Sequence, residues 1–168
     1  MGPISAKAET FTFHDLNFEC TTPEGWNSQH KIGDVVHAFN PSRTKFFCLK
    51  VYKFDVDRKQ LDEIEHGMVV TLEGQGYTGS YRAPLLLRGV SFDTYAFTLP
   101  TGGGQTYHLH EYVGRSGDFT YQFELAMYDG TPSADPELKA ILDSFKLLTK
   151  NEKSNTAVSS PAASGKVD

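Results

Sequence analysis

Hydrophobic and polar positions alternate along most of this chain, and the period turns helical only twice. FTFHDLNFEC reads as a short hairpin: Phe11 and Phe13 lead into a polar turn around His14 and Asp15, then Phe18 and Cys20 fall two apart. Thr22-Pro23-Glu24-Gly25 carries the residues of a type I turn, proline second and glycine fourth. The single tryptophan, Trp26, stands at its exit. DVVHAFNPSRTKFFCLKVYKF predicts two strands joined at Asn40-Pro41-Ser42. In its second arm Phe47, Leu49 and Val51 alternate with Phe46, Cys48 and Tyr52, which predicts a central strand covered on both faces.

From Asp57 the spacing is helical. Leu61, Ile64, Met68 and Leu72 form the apolar positions, Asp57 and Gln60 have the form of a capping box, and the helix is expected to stop near Gly74 or Gly76. Strand signals resume after Pro84 in LLLRGVSFDTYAFTL, QTYHLHEYV and DFTYQFELAMY. The last places Phe119, Tyr121, Phe123, Leu125 and Met127 on one face, opposite Asp118, Thr120, Gln122 and Glu124. That second face is expected to be solvated or to meet polar groups. The linkers TGGGQ and GRSGD are of hairpin length, so these strands should pair antiparallel. Asp135-Pro136 is an N-cap followed by proline at the first helical position, ahead of a stripe of Leu138, Ile141, Leu142 and Phe145. The order of elements predicts an α+β fold on an antiparallel sheet.

Composition narrows the function classes. The 168 residues suit one domain, and 12 Phe with 8 Tyr suit a pleated surface better than a helical bundle. A net charge of -5 without a long basic run argues against a nucleic-acid partner. No stretch approaches the roughly 20 apolar residues of a transmembrane helix. Cys20 and Cys48 permit one bridge or two buried free thiols, and their spacing is neither CxxC nor a zinc pattern. Residues 1–8 read as a remnant or linker in which Ala6-Lys7-Ala8 has the small-x-small form of a signal-peptidase site, without an apolar region before it. The tail over residues 151–168 is polar and expected to be disordered, leaving a single domain over 9–150.

The opening hairpin, Pro23-x-Gly25-Trp26, two strands, a helix of some four turns, antiparallel strands and a closing helix with Ile-Leu-Asp-Ser-Phe at 141–145 form a recognisable succession. It resembles the PsbP and DcrB-like group over about residues 9–148, through short motifs. The resemblance implies an α/β/α sandwich with a central, mostly antiparallel sheet. Relatives of that group serve as photosystem extrinsic subunits, bacterial lipoproteins or chaperones of type VI effectors. It therefore implies a non-catalytic binding or accessory protein with a protein partner, exported to the periplasm or beyond rather than cytoplasmic. A chaperone for secreted effectors is the alternative within the group. No lipobox cysteine stands near the start, so a lipid anchor is not expected. Under this reading Trp26 closes the core against the terminal helix.

The candidate chemistry is sparse. Gly74-Gln75-Gly76-Tyr77-Thr78-Gly79 matches GxGxxG, but a helix precedes it where a dinucleotide site needs a strand, so it reads as a helix stop and connector, and no cofactor is expected. His108 and His110 share one face of a strand, as a metal site requires. Glu111 points the other way and His37 lies on another strand, so two surface histidines are the plainer reading. A small metal protein or hydrolase using that pair is the rival from another class. Asp55, Asp57, Asp62, Glu63 and Glu65 gather where the helix starts and on its expected solvent side. No nucleophile elbow, P-loop or HExxH occurs. GYTGSYRAPLLLRG reads as a mobile connector in which Tyr77, Tyr81, Arg82 and Leu86 are the candidate interface residues. The sequence reading leaves no buried polar constellation for catalysis.

Overall fold

A computed structural model describes residues 7–31, 34–52 and 57–149; the segment before Lys7, Asp55 and the polar tail lie outside the described residues. The strands are β1 (Glu9–Phe13), β2 (Phe18–Thr22), β3 (Asn27–Lys31), β4 (Asp34–Phe39), β5 (Lys45–Tyr52), β6 (Thr78–Tyr81), β7 (Leu85–Leu87), β8 (Val90–Pro100), β9 (Thr106–Ser116), β10 (Phe119–Tyr128) and β11 (Lys146–Leu147). The helices are α1 (Arg58–Gly74) and α2 (Pro136–Ser144).

Eight strands form one antiparallel sheet. Its order is β3-β4-β5-β10-β9-β8-β6, with β7 also paired to β8. A small second sheet has the order β1-β2-β11. The fold is α+β, with α1 on one face of the large sheet. The other face is covered by α2 and the small sheet together, so its cover is half strand and not a helix alone.

Local chemistry explains the boundaries. Asp57 accepts from the Gln60 backbone N–H at 2.8 Å while Gln60 Oε1 accepts from the Asp57 N–H at 3.0 Å, completing the capping box that starts α1. Asp135 Oδ1 accepts from the N–H groups of Glu137 and Leu138, both at 3.0 Å, and Pro136 fills the first helical position of α2. Asn40 Oδ1 accepts from the N–H groups of Thr44 and Lys45 and closes the β4–β5 connection.

The core on the α2 side runs through Phe18, Trp26, Phe47, Leu49, Phe92, Tyr121, Phe123, Leu138, Ile141 and Phe145. The Phe145 ring meets that of Phe123 edge-on at 4.9 Å between centroids and that of Tyr121 at 5.2 Å. On the other side Leu61 and Leu72 of α1 pack over Phe97, Leu109, Val113 and Ala126.

Three expectations change. The turn before Trp26 is one residue further along: the Trp26 N–H donates to Pro23 O at 3.2 Å, and Gly25 is its third residue, with the φ of 84° that a type II turn reserves for glycine. The connector after α1 is partly a strand, since Thr78–Tyr81 pair with Tyr95–Thr98 as β6. Gly79 permits that pairing, because a Cβ there would collide with the Ala96 carbonyl oxygen. The second face of β10 meets polar groups, one of the two settings expected, and is not solvated: Thr120 and Gln122 are buried, and Gln122 Nε2 donates to Glu111 Oε2. Glu65 is not on the solvent side of α1: it is 4% exposed and faces the sheet.

Candidate functional site

A groove of about 760 Å³ lies on the α2 side, over β8 and β9. Sheet register explains why it is there. On this face Thr94, Ala96 and Thr98 of β8 stand opposite Tyr112, His110 and His108 of β9. Small side chains on one strand beside rings on the next leave a depression that α2 does not reach across. Lys139, Leu142 and Asp143 of α2 form one wall, and residues 82–87 form the other. Arg88 and Gly89, both at positive φ, make the tight β7–β8 turn. The Arg88 guanidinium donates to the Asp143 carbonyl oxygen at 2.9 Å and fastens that turn to the end of α2.

The electrostatics of the groove are uneven. Burial, with smaller contributions from Arg82 and His108, pushes the His110 imidazole down to about 4, so it is neutral near pH 7. Lys139 Nζ is paired with Asp143 Oδ2 at 2.7 Å. The Thr94 hydroxyl donates to the Ala83 carbonyl oxygen at 2.6 Å and holds the outer wall against the floor. Among the described residues no group of three or more His, Cys, Asp and Glu side chains is arranged to hold a metal ion.

Beneath α1 lie two carboxyl pairs. Glu65 is pushed up to about 8, first by burial and then by its hydrogen bond and charge contact with Asp93. Arg58 Nη1 reaches Asp93 Oδ2 at 2.9 Å and Arg58 Nη2 reaches Asp62 Oδ1 at 2.9 Å. Tyr95, pushed up to about 12 chiefly by burial, also hydrogen-bonds Glu65. The second pair is Glu111 with Glu124. Glu111 is fully buried and held well above the usual carboxylate range, first by desolvation and then by the Glu124 charge. Its Oε2 accepts from Gln122 Nε2 at 3.2 Å. Its other oxygen has no donor, as a protonated oxygen that itself donates to Glu124 would not. Buried polar constellations therefore exist, contrary to the sequence expectation. They sit under a helix, where Arg58 pairs with Asp93 and the Gln122 amide donates to Glu111, while Glu65 Oε1 and Glu111 Oε1 are buried without a hydrogen-bond donor.

No protein-family model matches the sequence, and no curated protein matches it significantly. Solved structures do. Cyanobacterial PsbP from Synechocystis sp. PCC 6803 superposes with a TM-score of 0.63 at 14% identity, over 88% of this chain and 96% of that one. The fold is PsbP-like. A protein of Bacteroides thetaiotaomicron gives 0.60 at 13% identity over 87% of this chain, which spans 50% of that structure. LpqN of Mycobacterium tuberculosis, involved in cell envelope biogenesis, gives 0.51 at 12% identity over 84% of this chain and 86% of its own.

The PsbP-like scaffold separates residues that the sequence reading grouped. Arg82 and Leu86 line the groove together, and Leu86 is 73% exposed. Tyr81 lies against Tyr95 over the Glu65 pair on the opposite face of the sheet, and Tyr77 is tucked against Tyr107 beneath α1. His108 and His110 stand half-buried in the floor of the groove. His37 lies on the other face, paired across from Cys48. Cys20 and Cys48 are not bridged to each other and both are buried, Cys20 in the core on the α2 side and Cys48 on the opposite face of the large sheet. Gly74 ends α1 as expected of a helix stop.

Two signals for the missed carboxyls were present in the sequence. Glu65 falls four residues after Leu61 and seven before Leu72, within the apolar stripe of α1. Glu111 replaces an apolar residue in the alternation Leu109, Glu111, Val113 of β9.

Proposed function

We propose that this chain is a non-catalytic accessory protein of the cell exterior or envelope, which meets a protein partner through the rim of the groove. The observation that carries the reading is Leu86: a large apolar side chain on a three-residue edge strand, exposed at the rim of the groove that Arg82 also lines. Arginine is enriched at the energetic centres of protein interfaces, and Leu86 adds exposed apolar area to the same rim. An exported setting is consistent with the cysteines. Burial pushes the Cys20 thiol up to about 12, which keeps it out of disulfide exchange. LpqN, which shares this fold, is involved in cell envelope biogenesis. Among the described residues no helix is long and apolar enough to cross a membrane.

A photocrosslinking residue at position 86, compared in the native host with the same residue at Val70, tests the reading. Val70 is 52% exposed on α1 and serves as the control surface. One discrete adduct from position 86, absent from position 70 and lost on Arg82→Glu, is the expected outcome. Equal labelling from both positions would remove the basis for an interface at the groove.

A further inference from the structure

We propose that the groove itself holds a single-chain carboxylate amphiphile, its carboxylate on Arg82 beside His108 and His110 and its chain along Leu85, Leu87 and Leu142. This goes beyond the reading of the rim as a protein contact and does not depend on it.

The register of the sheet gives the groove a polar end and an apolar end. His108 pairs across from Thr98 at the end where Thr131 and Ser133 also line the cavity. Four residues along β9, Tyr112 stands beside Thr94, and β7 joins there because Leu85 pairs with Phe92 and Phe92 with Gly114. At the strand rise of about 3.4 Å per residue this gradient extends over about 13 Å. An elongated molecule with one polar terminus fits such a gradient, and the volume of about 760 Å³ falls in the range of small-molecule sites, about 300–1,000 Å³.

The charge of the lining is positive although the chain as a whole is -5, and Arg82 enters beside Thr94, between the two ends, where its charge acts on His110 of the neighbouring pair. Two cations, Arg82 and Lys139, line the groove against one carboxylate, Asp143, and that carboxylate already holds Lys139. The Arg82 side chain makes no hydrogen bond or ion pair among the described residues. An exposed guanidinium at the lip of an apolar cleft is matched by an anion with a planar pair of oxygens. A cationic amphiphile would find no free carboxylate there. A wholly polar anion would leave the leucine wall uncovered. His110, on which the Arg82 charge acts, adds a ring N–H donor, and His108 lies one pair further along the floor.

Calorimetry and the ring signals of His108 and His110 would be followed on the full chain with decanoate, decanol and decyltrimethylammonium, each below its micelle-forming concentration. Decanoate is expected to bind and to move both rings. Decanol is expected to bind about tenfold more weakly, equivalent to about 1.4 kcal/mol, and decyltrimethylammonium more weakly again. Arg82→Gln, at an exposed position where folding is not at stake, should remove the preference for decanoate and leave decanol unchanged. Ala96→Phe should abolish both by filling the floor. Absence of decanoate binding, equal affinities for decanoate and decanol, or an unaltered Arg82→Gln would overturn the proposal. Displacement of decanoate by a short apolar peptide carrying one glutamate would also overturn it, in favour of a protein segment as occupant. The adduct at position 86 reads out the rim alone, so either result can fail without the other.

Discussion

Replacing Trp26 with alanine should lower the unfolding free energy by about 3–5 kcal/mol, the range for truncating a large aromatic in a core. The side chain is 4% exposed, and its Nε1 donates to Glu137 Oε2 at 2.7 Å, in the first turn of α2. The other oxygen of Glu137 accepts from Lys45 Nζ of β5 at 2.9 Å, and the same ammonium lies 2.8 Å from Asp135 Oδ2, the N-cap of α2. The indole therefore fills the end of the core and also fixes the start of the terminal helix. The Trp26 hydrogen bond is the largest influence holding Glu137 below the usual carboxylate range, followed by Lys45. Trp26→Phe separates the two roles. It keeps most of the apolar contact and loses the hydrogen bond, so it should cost less than the alanine variant and near the value of one hydrogen bond to a charged group, about 1.5–3 kcal/mol. Urea unfolding followed by far-UV circular dichroism is the measurement, since the variants lose the only indole. A Trp26→Ala loss below about 1 kcal/mol would mean the plug contributes little beyond an ordinary surface residue.

Stability should fall as pH rises from about 6.5 to about 8, and Glu65→Gln should flatten that decline. Glu65 titrates near 8 in the folded chain against an ordinary value of 4.5, so between those limits the folded state binds a proton that the unfolded state does not. Stability then decreases with pH across the interval and levels off above the folded value. Glu111 acts in the same direction. His110 acts in the opposite one: it is lowered from 6.5 to about 4, so its contribution is complete above 6.5 and is lost as the pH falls towards 4. The window above 6.5 therefore isolates the carboxyls. The glutamine amide can still donate to Asp93 and no longer ionises between Asp62, Asp93 and the Arg58 guanidinium. Superimposable pH profiles for the parent and Glu65→Gln, measured as urea midpoints, would show that the pair is already ionised at neutral pH.

Local codes in the sequence located most elements. The capping box at Asp57 and Gln60, the Asp135-Pro136 start and the Asn40 turn each fix a boundary through hydrogen bonds within a few residues, so their meaning is carried locally. What escaped was tertiary. TGSY of β6 has no alternation to read, because Gly79 contributes closeness to the Ala96 backbone and no side chain. The two-residue β11 exists only because α2 delivers Lys146 and Leu147 beside β2. The second face of β10 looks solvent-facing from its glutamine and glutamate, and is covered only because α1 returns over it. The groove depends on how far two separate elements fail to cover one stretch of sheet. Only its histidine floor had a local sign, the spacing of His108 and His110. Tyr81 parts company with Arg82 for a local reason: the two are consecutive along the β8 edge, where successive side chains point to opposite faces of the sheet.

The thiols of Cys20 and Cys48, not bridged to each other, are buried in different layers, Cys20 in the small sheet and Cys48 on the face of β5 opposite the α2 side, which makes them a pair of built-in clocks. A slow alkylating reagent can modify each only when its own layer opens, so the two labelling rates under native conditions should report separately on the lifting of α1 and on the release of α2 with the small sheet. If the carboxyl pairs govern how α1 sits, raising the pH to 8 should hasten Cys48 relative to Cys20 after correction for thiolate chemistry; equal acceleration would show the two layers opening as one.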